Sequence, residues 1–274
     1  MKRVIAILMA LGLCVGMMAG CGAKQDDQAA GLTGVVATDG STSMEKVVKG
    51  LGEMFMELND GVTVNYSGTG SGAGIEAALS GTADIGLASR GLKDEEKAKG
   101  AVEHIVALDG VAVIVSAENP VENLTVEQIA AIFKGEIDNW AQLGGADAPI
   151  AVYGREAGSG TRGAFEEIVG VEDACVYRNE YSSTGDMVGS VAGNPDAIGY
   201  ASLSAVGESV RAVTVNGTAC TEETVRDGSY AIQRPFVMVT KEGAQLPDAA
   251  QAFLDYALSE DAAEVIALAG AVAP

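Results

Sequence analysis

Three predicted strands of this chain each end in a turn rich in glycine and hydroxyl residues, and a predicted helix follows each turn. These turns are residues 40–43, 68–74 and 155–162. Glycine lets the backbone approach a ligand closely, while Ser and Thr offer short hydrogen-bond donors. The first N–H groups of a helix are unpaired and lie at the positive end of its dipole. The three turns therefore predict a site for an oxyanion.

Strand-like and helix-like segments alternate along most of the chain. A strand at 34–38 precedes a helix from about 43 to 58, whose apolar residues follow the helical period. A Thr125-x-x-Gln128 capping box opens another helix, which Gly135 ends. This alternation predicts an α/β fold with mainly parallel strands. Further predicted elements are strands at 62–66, 84–88, 104–116 (broken at Asp109-Gly110), 150–153, 197–201, 210–215 and 236–240, and helices at 74–80, within 160–169 and at about 248–269.

The chain is predicted to cross twice between two lobes. It leaves the first lobe near Ser116 and returns near Ile232, which gives residues 31–116 plus 232–274 as lobe 1 and 117–231 as lobe 2. Two crossings form a hinge and leave a cleft between the lobes. We therefore expect the oxyanion to be enclosed by closure of the lobes.

The N-terminal segment has the pattern of a bacterial lipoprotein signal. Lys2 and Arg3 precede an apolar run over 4–18, and Ala19-Gly20-Cys21 follows. The alternative, a transmembrane helix, needs about 20 apolar residues, and this run is shorter. We expect residues 1–20 to be a signal peptide, Cys21 to carry lipid on the extracytoplasmic face of the cell membrane, and 21–30 to be a flexible tether.

The charge balance argues against nucleic acid as a partner. The chain has 17 basic and 38 acidic residues and a net charge of −21, which becomes about −23 once Lys2 and Arg3 are removed. So acidic a chain repels nucleic acid, and we predict no nucleic-acid partner. An oxyanion must then be held by local dipoles and a few buried cations.

Two cysteines, Cys175 and Cys220, remain after removal of the signal and lipidation. They could form a disulfide, which would stabilise the chain by about 4 kcal/mol in the chain-entropy model. They could equally be two small buried apolar residues. The spacing alone leaves both possibilities open.

Each turn also has an alternative explanation. Thr42-x-x-Glu45 is a capping box, and Gly68, Gly70 and Ala73 fit the dinucleotide fingerprint. The acidic residue of that fingerprint is missing, since Ser89 and Arg90 stand at its place. Arg155 lies four residues before Ser159 and suits bidentate pairing with a tetrahedral anion, although it could pair with Glu156 at the surface.

No catalytic pattern is specific in this chain. His104 is the only histidine, and no G-x-S-x-G motif or metal-ligand spacing occurs. The phosphate-binding loop motif of nucleotide hydrolases is also absent. We predict neither a catalytic residue, a cofactor nor a metal, and hence no enzyme.

Seven motifs follow one another in a fixed order along the chain: Gly40-Ser41-Thr42-Ser43-Met44, Gly70-Ser71-Gly72, Ala83 to Arg90, Leu108 to Val113, Ile132 to Gly135 with Asn139-Trp140, Arg155 to Arg162 and Ala197 to Ala201. In combination, these motifs resemble the substrate-binding lipoprotein family of bacterial phosphate ABC transporters. The resemblance implies the two-lobed periplasmic-binding-protein fold of type II, in which each lobe is a mainly parallel sheet flanked by helices and two strands form the hinge. It also implies binding of inorganic phosphate, delivery to permease subunits and a monomeric protein.

The resemblance assigns the phosphate-binding residues position by position. Well-known members of the family have an aspartate at the position of Ser89, which Arg90 follows in this chain. They often have an acidic residue at the position of Ala157. We hypothesise that Asp109, or else Asp39, replaces the missing acceptor for the proton of phosphate. The candidate residues are Ser41, Thr42, Ser43, Ser71, Ser89, Arg90, Asp109, Arg155, Ser159, Gly160 and Thr161.

The absence of that aspartate keeps other functions open. Sulfate, molybdate or tungstate, which need no acceptor, could be the cargo instead. An exported hydrolase of phosphorylated substrates, or a surface sensor or adhesin regulated by an anion, could use the same turns.

Overall fold

The computed structural model describes residues 31–274, and Leu32–Pro274 pack as one unit. The predicted signal peptide and the whole predicted tether, including Cys21, lie outside the described residues. Among residues 31–274, none of the helices combines the length and the apolar character needed to cross a bilayer.

Strands and helices alternate as the sequence predicts. The strands are Thr33–Gly40 (β1), Gly61–Ser67 (β2), Ile85–Ala88 (β3), Ala101–Ser116 (β4), Asn123–Leu124 (β5), Ala151–Arg155 (β6), Asn179–Tyr181 (β7), Ala197–Ser202 (β8), Val210–Ala212 (β9), Thr214–Val215 (β10) and Gln233–Lys241 (β11). The α-helices are Glu45–Leu58 (α1), Ser71–Ser80 (α2), Asp94–Ala98 (α3), Val126–Phe133 (α4), Gly160–Val169 (α5), Thr184–Ala192 (α6), Glu222–Arg226 (α7), Asp248–Ala257 (α8) and Ala263–Leu268 (α9). Single 3₁₀ turns lie at Trp140–Leu143, Leu203–Ala205 and Glu260–Ala262.

One sheet contains two groups of parallel strands joined by an antiparallel pair. Its order is β2-β1-β3-β11-β4-β8-β6-β7, and β9 also pairs with β4. Strand β1 is parallel to β2 and β3, and β6 is parallel to β7 and β8. Strands β4 and β11 are antiparallel to each other and connect the two groups. A separate pair of parallel strands, β10 and β5, completes the topology.

The two groups of strands carry separate large hydrophobic clusters. Val36, Leu51 and Phe253 belong to the cluster beside β1 and α1. Ile114 and Phe165 belong to the cluster beside β8 and α5. The lobe limits at 116/117 and 231/232 stay a prediction.

The sequence misjudges the continuity of three elements. The predicted strand at 210–215 is two strands, β9 and β10, which pair with different strands. Strand β4 runs without interruption through Asp109 and Gly110, because it pairs with β11 there. Gly110 fits because an added Cβ would lie 2.5 Å from Cys220 Sγ. Conversely, the predicted helix at 248–269 is two helices, because the backbone at Ser259 is extended (φ −83°, ψ 162°).

Helix starts are the other point of difference. Helix α1 begins at Glu45, and its N-cap Met44 provides no side-chain hydrogen bond, so the predicted capping box at Thr42 is wrong. The box at Thr125 is confirmed, since the Thr125 side chain accepts a hydrogen bond from Gln128 N. Helix α2 begins three residues before its predicted start, after Gly70 with φ of 102°.

The two cysteines are free, with Cys175 half-buried and Cys220 buried.

Candidate functional site

The three glycine- and hydroxyl-rich turns meet around one small pocket. It lies at the carboxyl ends of β1, β3 and β6, where loops of parallel sheets commonly bind ligands. The lining residues are Ser41, Thr42, Gly70, Ser71, Ser89, Arg155, Ser159, Gly160 and Thr161.

Unpaired backbone donors surround this pocket. The N–H groups of Thr42, Ser71, Gly160 and Thr161 donate no hydrogen bond to any atom of residues 31–274. Ser71 and Gly160 are the first residues of α2 and α5, so the positive ends of two helix dipoles face the pocket. Such N–H groups favour a negatively charged ligand.

Arg155 is the cation of the pocket. Only 2% of its surface is exposed, and burial lowers its pKa to about 10. Its Nε donates to Tyr181 O at 3.0 Å, and Nη1 donates to Thr184 Oγ1 at 2.9 Å. Its Nη2 donates to Thr42 Oγ1 at 3.1 Å and to Ser182 O at 2.7 Å. The guanidinium has five N–H donors, so these four hydrogen bonds leave one donor on Nη1.

Arg155 has no carboxylate partner in the part of the chain that the structure describes. It takes part in none of the salt bridges formed by the described residues. Glu156, its predicted alternative partner, is exposed and forms no ion pair with it. A buried and uncompensated guanidinium is costly, and an anion in the pocket would remove that cost.

A chain of buried hydroxyl groups runs along one side of the pocket. Ser71 Oγ lies 3.3 Å from Ser89 Oγ, which lies 3.5 Å from Thr161 Oγ1. Thr161 Oγ1 is 2.7 Å from Ser43 Oγ, which is 3.1 Å from Thr184 Oγ1. Because a hydroxyl group both donates and accepts hydrogen bonds, the hydrogen bonds of this row of hydroxyl groups can reorient toward an oxyanion.

Gly160 allows the turn before α5 to approach α2. A Cβ at this position would lie 2.3 Å from Ser71 Oγ and 3.0 Å from Ser89 Oγ. Close by, Gly72 N donates a hydrogen bond to Gly158 O at 3.1 Å. The glycines thus let two distant segments of the chain enclose the pocket.

The structure does not bring Arg90 or Asp109 into the pocket lining. Arg90 forms a bidentate ion pair with Glu96, with N–O distances of 2.8 and 2.7 Å. Asp109 Oδ2 accepts hydrogen bonds from Nε and Nη2 of Arg234, and Oδ1 accepts one from Ser202. The alternative acceptor, Asp39, accepts a hydrogen bond from Thr69 Oγ1. Each of these groups already has a partner in the fold.

Ser43 does not line the pocket, but its Oγ contacts Thr161 Oγ1 of the lining. Two further residues at the site were not predicted from the sequence. Thr184 contacts Arg155, Thr42 and Ser43. It opens α6 after Ser182-Ser183, and this hydroxyl-rich helix start is the same signal that revealed the other turns. Gly70, from a predicted turn, also lines the pocket.

Comparisons with known proteins agree with this geometry. A family model described as a PBP superfamily domain matches residues 27–261. The phosphate-binding protein PstS of Bacillus subtilis (strain 168) is 31% identical over 274 residues, covering 95% of this chain and 89% of that protein. PstS of Borreliella burgdorferi is 27% identical over 278 residues, covering 97% of this chain and 96% of that protein.

Solved structures give the same picture. A putative phosphate ABC transporter substrate-binding protein with bound phosphate from Clostridium perfringens has a TM-score of 0.85 and 42% identity, covering 88% of this chain and all of that one. An ABC-type phosphate transport receptor from Vibrio cholerae has a TM-score of 0.72 and 33% identity, covering 87% of this chain and all of that one. The predicted periplasmic-binding-protein fold is confirmed. The chain belongs to the PBP superfamily and, within it, to the family of phosphate-binding proteins called PstS.

Proposed function

We propose that this protein binds inorganic phosphate on the extracytoplasmic side of the membrane and delivers it to the permease of an ABC transporter. The observation that carries the proposal is Arg155, a buried guanidinium without a carboxylate partner among the described residues, facing a pocket of N–H and hydroxyl donors. The names of the PstS relatives, and the phosphate bound to the Clostridium perfringens protein, identify the anion.

Binding energies support a fully enclosed anion. Micromolar affinity needs about −8 kcal/mol, whereas one helix terminus supplies about 0.3 to 2 kcal/mol. Charge-assisted hydrogen bonds contribute about 1.5 to 3 kcal/mol each, so Arg155 and several donors together reach this value. The donors come from both predicted lobes, and closure of these lobes around phosphate is part of the proposal.

Calorimetric titration of residues 31–274, stripped of bound anion, tests the proposal. Phosphate, sulfate and molybdate are added in turn to wild type and to Arg226→Met, which removes an exposed arginine of α7 as a charge control. We expect phosphate to bind with micromolar or better affinity to both proteins. Absence of phosphate binding to wild type would refute the function.

A second candidate cargo is a tetrahedral oxyanion without a proton, such as sulfate or molybdate. The pocket lining contains no carboxylate, so no fixed negative charge repels such an anion. Tighter binding of sulfate or molybdate than of phosphate in the same titration would favour this candidate.

Anchoring is the remaining part of the proposal. The pattern of a lipoprotein signal before Cys21 supports lipid attachment to this residue. Metabolic labelling with palmitate should mark the wild-type protein and leave Cys21→Ala unlabelled and released from the membrane. Membrane retention of the unlabelled variant would argue against lipid anchoring.

A further inference from the structure

Orthophosphate near neutral pH still carries a proton, so a pocket that satisfies every oxygen of the anion must offer one acceptor. Carboxylates are absent from the residues that line this pocket, and Asp109 is occupied by Arg234 and Ser202. Unlike a carboxylate, a hydroxyl group can accept and donate at once. Among the side chains of the lining, the hydroxyl groups are then the candidate acceptors.

Most of these hydroxyl groups already receive a hydrogen bond from an N–H group. Such a hydroxyl oxygen has already used one of its two lone pairs, and its own proton can point at the anion. The pairs are Ser43 N to Ser41 Oγ at 3.2 Å, Arg155 Nη2 to Thr42 Oγ1 at 3.1 Å, Ser89 N to Ser71 Oγ at 3.1 Å and Arg162 N to Ser159 Oγ at 3.3 Å.

Ser89 and Thr161 remain, and their surroundings differ. Thr161 Oγ1 is held by a short contact of 2.7 Å with Ser43 Oγ. Ser89 Oγ has only longer contacts, 3.3 Å to Ser71 Oγ and 3.5 Å to Thr161 Oγ1. Ser89 is thus the lining hydroxyl with the most freedom to turn toward a ligand.

The backbone of Ser89 is nevertheless fixed. Its N–H donates to Ser71 Oγ, and its carbonyl accepts a hydrogen bond from Arg234 Nη1 at 3.0 Å. Arg234 is itself held by Asp109. The ion pair that excludes Asp109 from the pocket therefore positions Ser89 instead.

We propose that the Ser89 hydroxyl accepts the hydrogen bond from the P–OH group of bound hydrogen phosphate. Ser89 then donates its own proton to Ser71 Oγ, and the Ser71 proton points at another oxygen of the anion. No proton passes between protein and ligand. This inference rests on the proposed phosphate binding and adds the residue that distinguishes proton-bearing from proton-free oxyanions.

The direction of this pair of hydroxyls sets how selective the pocket is. If Ser71 donates to Ser89, then Ser89 donates to the anion, and a proton-free oxyanion such as sulfate is accommodated. A fixed carboxylate could not turn in this way and would repel sulfate. We therefore expect a preference for phosphate over sulfate that depends on Ser89 and is smaller than a carboxylate would give.

The test compares the affinities of Ser89→Ala for phosphate, arsenate and sulfate, measured by calorimetry against wild type. Arsenate also carries a proton, whereas sulfate does not. Loss of the acceptor should weaken phosphate and arsenate by about tenfold or more, and sulfate by clearly less. Thr42→Val is the control, because it removes a donor and should weaken all three anions by a similar factor.

A second variant separates selectivity from loss of packing. Ser89→Asp restores a carboxylate, and we expect a higher ratio of phosphate to sulfate affinity than in wild type. If Ser89→Ala weakens all three anions equally, or if Ser89→Asp leaves the ratio unchanged, the inference is overturned. Wild type that fails to bind phosphate would refute the proposed function itself, whereas intact phosphate binding with an unaltered ratio in the variants would refute only the role of Ser89.

Discussion

Two arginines, Arg155 and Arg234, are almost completely buried in this protein, with exposed fractions of 2% and 3%. Arg234 on β11 pairs with Asp109 on β4, with Nη2–Oδ2 and Nε–Oδ2 distances of 2.9 and 3.0 Å. Arg155 at the end of β6 contacts only hydroxyl and carbonyl oxygens. Two equally buried arginines thus differ in their partners: Arg234 has a carboxylate, and Arg155 has none among the described residues.

The difference separates a structural charge from a binding charge. A buried ion pair offsets its own desolvation cost only when both partners are present. Arg234 meets this condition within the fold and links the paired strands β4 and β11. Arg155 has no counterion among residues 31–274, so this part of the fold holds a cation whose desolvation cost a bound anion would remove. The absence of a carboxylate beside Arg155 therefore points to binding more strongly than its burial does.

The largest expected effect is the loss of stability on replacing Arg234, compared with the loss on replacing Arg155. Arg234→Met leaves Asp109 buried and unpaired, which should lower the free energy of unfolding by about 3–5 kcal/mol. Arg155→Met removes a charge that has no counterion, so its loss should be clearly smaller. Urea unfolding of anion-free protein measures both, and equal losses would break the distinction between the two arginines.

The pH dependence of Arg234→Met gives an independent check. Burial raises the pKa of Asp109, and Arg234 opposes this effect. Without Arg234 the folded state should favour the protonated carboxyl, so the folded pKa lies above the unfolded value. Stability is then retained in acid below the unfolded pKa and is lost as pH rises toward the folded pKa. A variant that became more stable from mild acid to neutral pH would contradict this explanation.

The next effect concerns anion affinity. Arg155→Met should weaken phosphate binding about a hundredfold or more, because charge-assisted hydrogen bonds contribute about 1.5–3 kcal/mol each and the charge itself is lost. Arg155→Lys retains the charge without the planar fork and should bind with intermediate affinity. Titration calorimetry checks both variants, with exposed Arg226→Met as the control. Phosphate affinity of Arg155→Met within a few-fold of wild type would remove Arg155 from the site.

Local sequence patterns predicted the turns and the fold, and they failed where partners are distant in sequence. The turn that contains Arg155 was visible because glycine and hydroxyl residues at a helix start have a local physical meaning. The sequence makes Asp109 a candidate acceptor for the proton of phosphate, but its partner Arg234 lies 125 residues away along the chain. A carboxylate has the same appearance in sequence whether it faces a ligand or an arginine on a neighbouring strand.

Hydroxyl groups were misassigned for a related reason. Thr42-x-x-Glu45 satisfies the capping-box pattern as well as Thr125-x-x-Gln128 does. Only Thr125 caps its helix, because Thr42 Oγ1 is occupied by Arg155 and by the N–H of Thr184, 142 residues away. The sequence does not record this competition, since Arg155 reaches Thr42 only after the chain has folded.

The smallest effect should extend the comparison from charges to these two hydroxyls. Thr125→Ala loses the cap of α4 and should lower the free energy of unfolding by about 1 kcal/mol, without changing phosphate affinity. Thr42→Val should weaken phosphate binding by about tenfold, because a donor to the anion and a support of Arg155 are both lost. Urea unfolding and calorimetry on the same preparations measure the two quantities. Two outcomes would contradict this prediction: a changed phosphate affinity in Thr125→Ala, or an unchanged one in Thr42→Val. Either would mean that the hydrogen-bond partners of a hydroxyl do not show whether it serves the fold or the ligand.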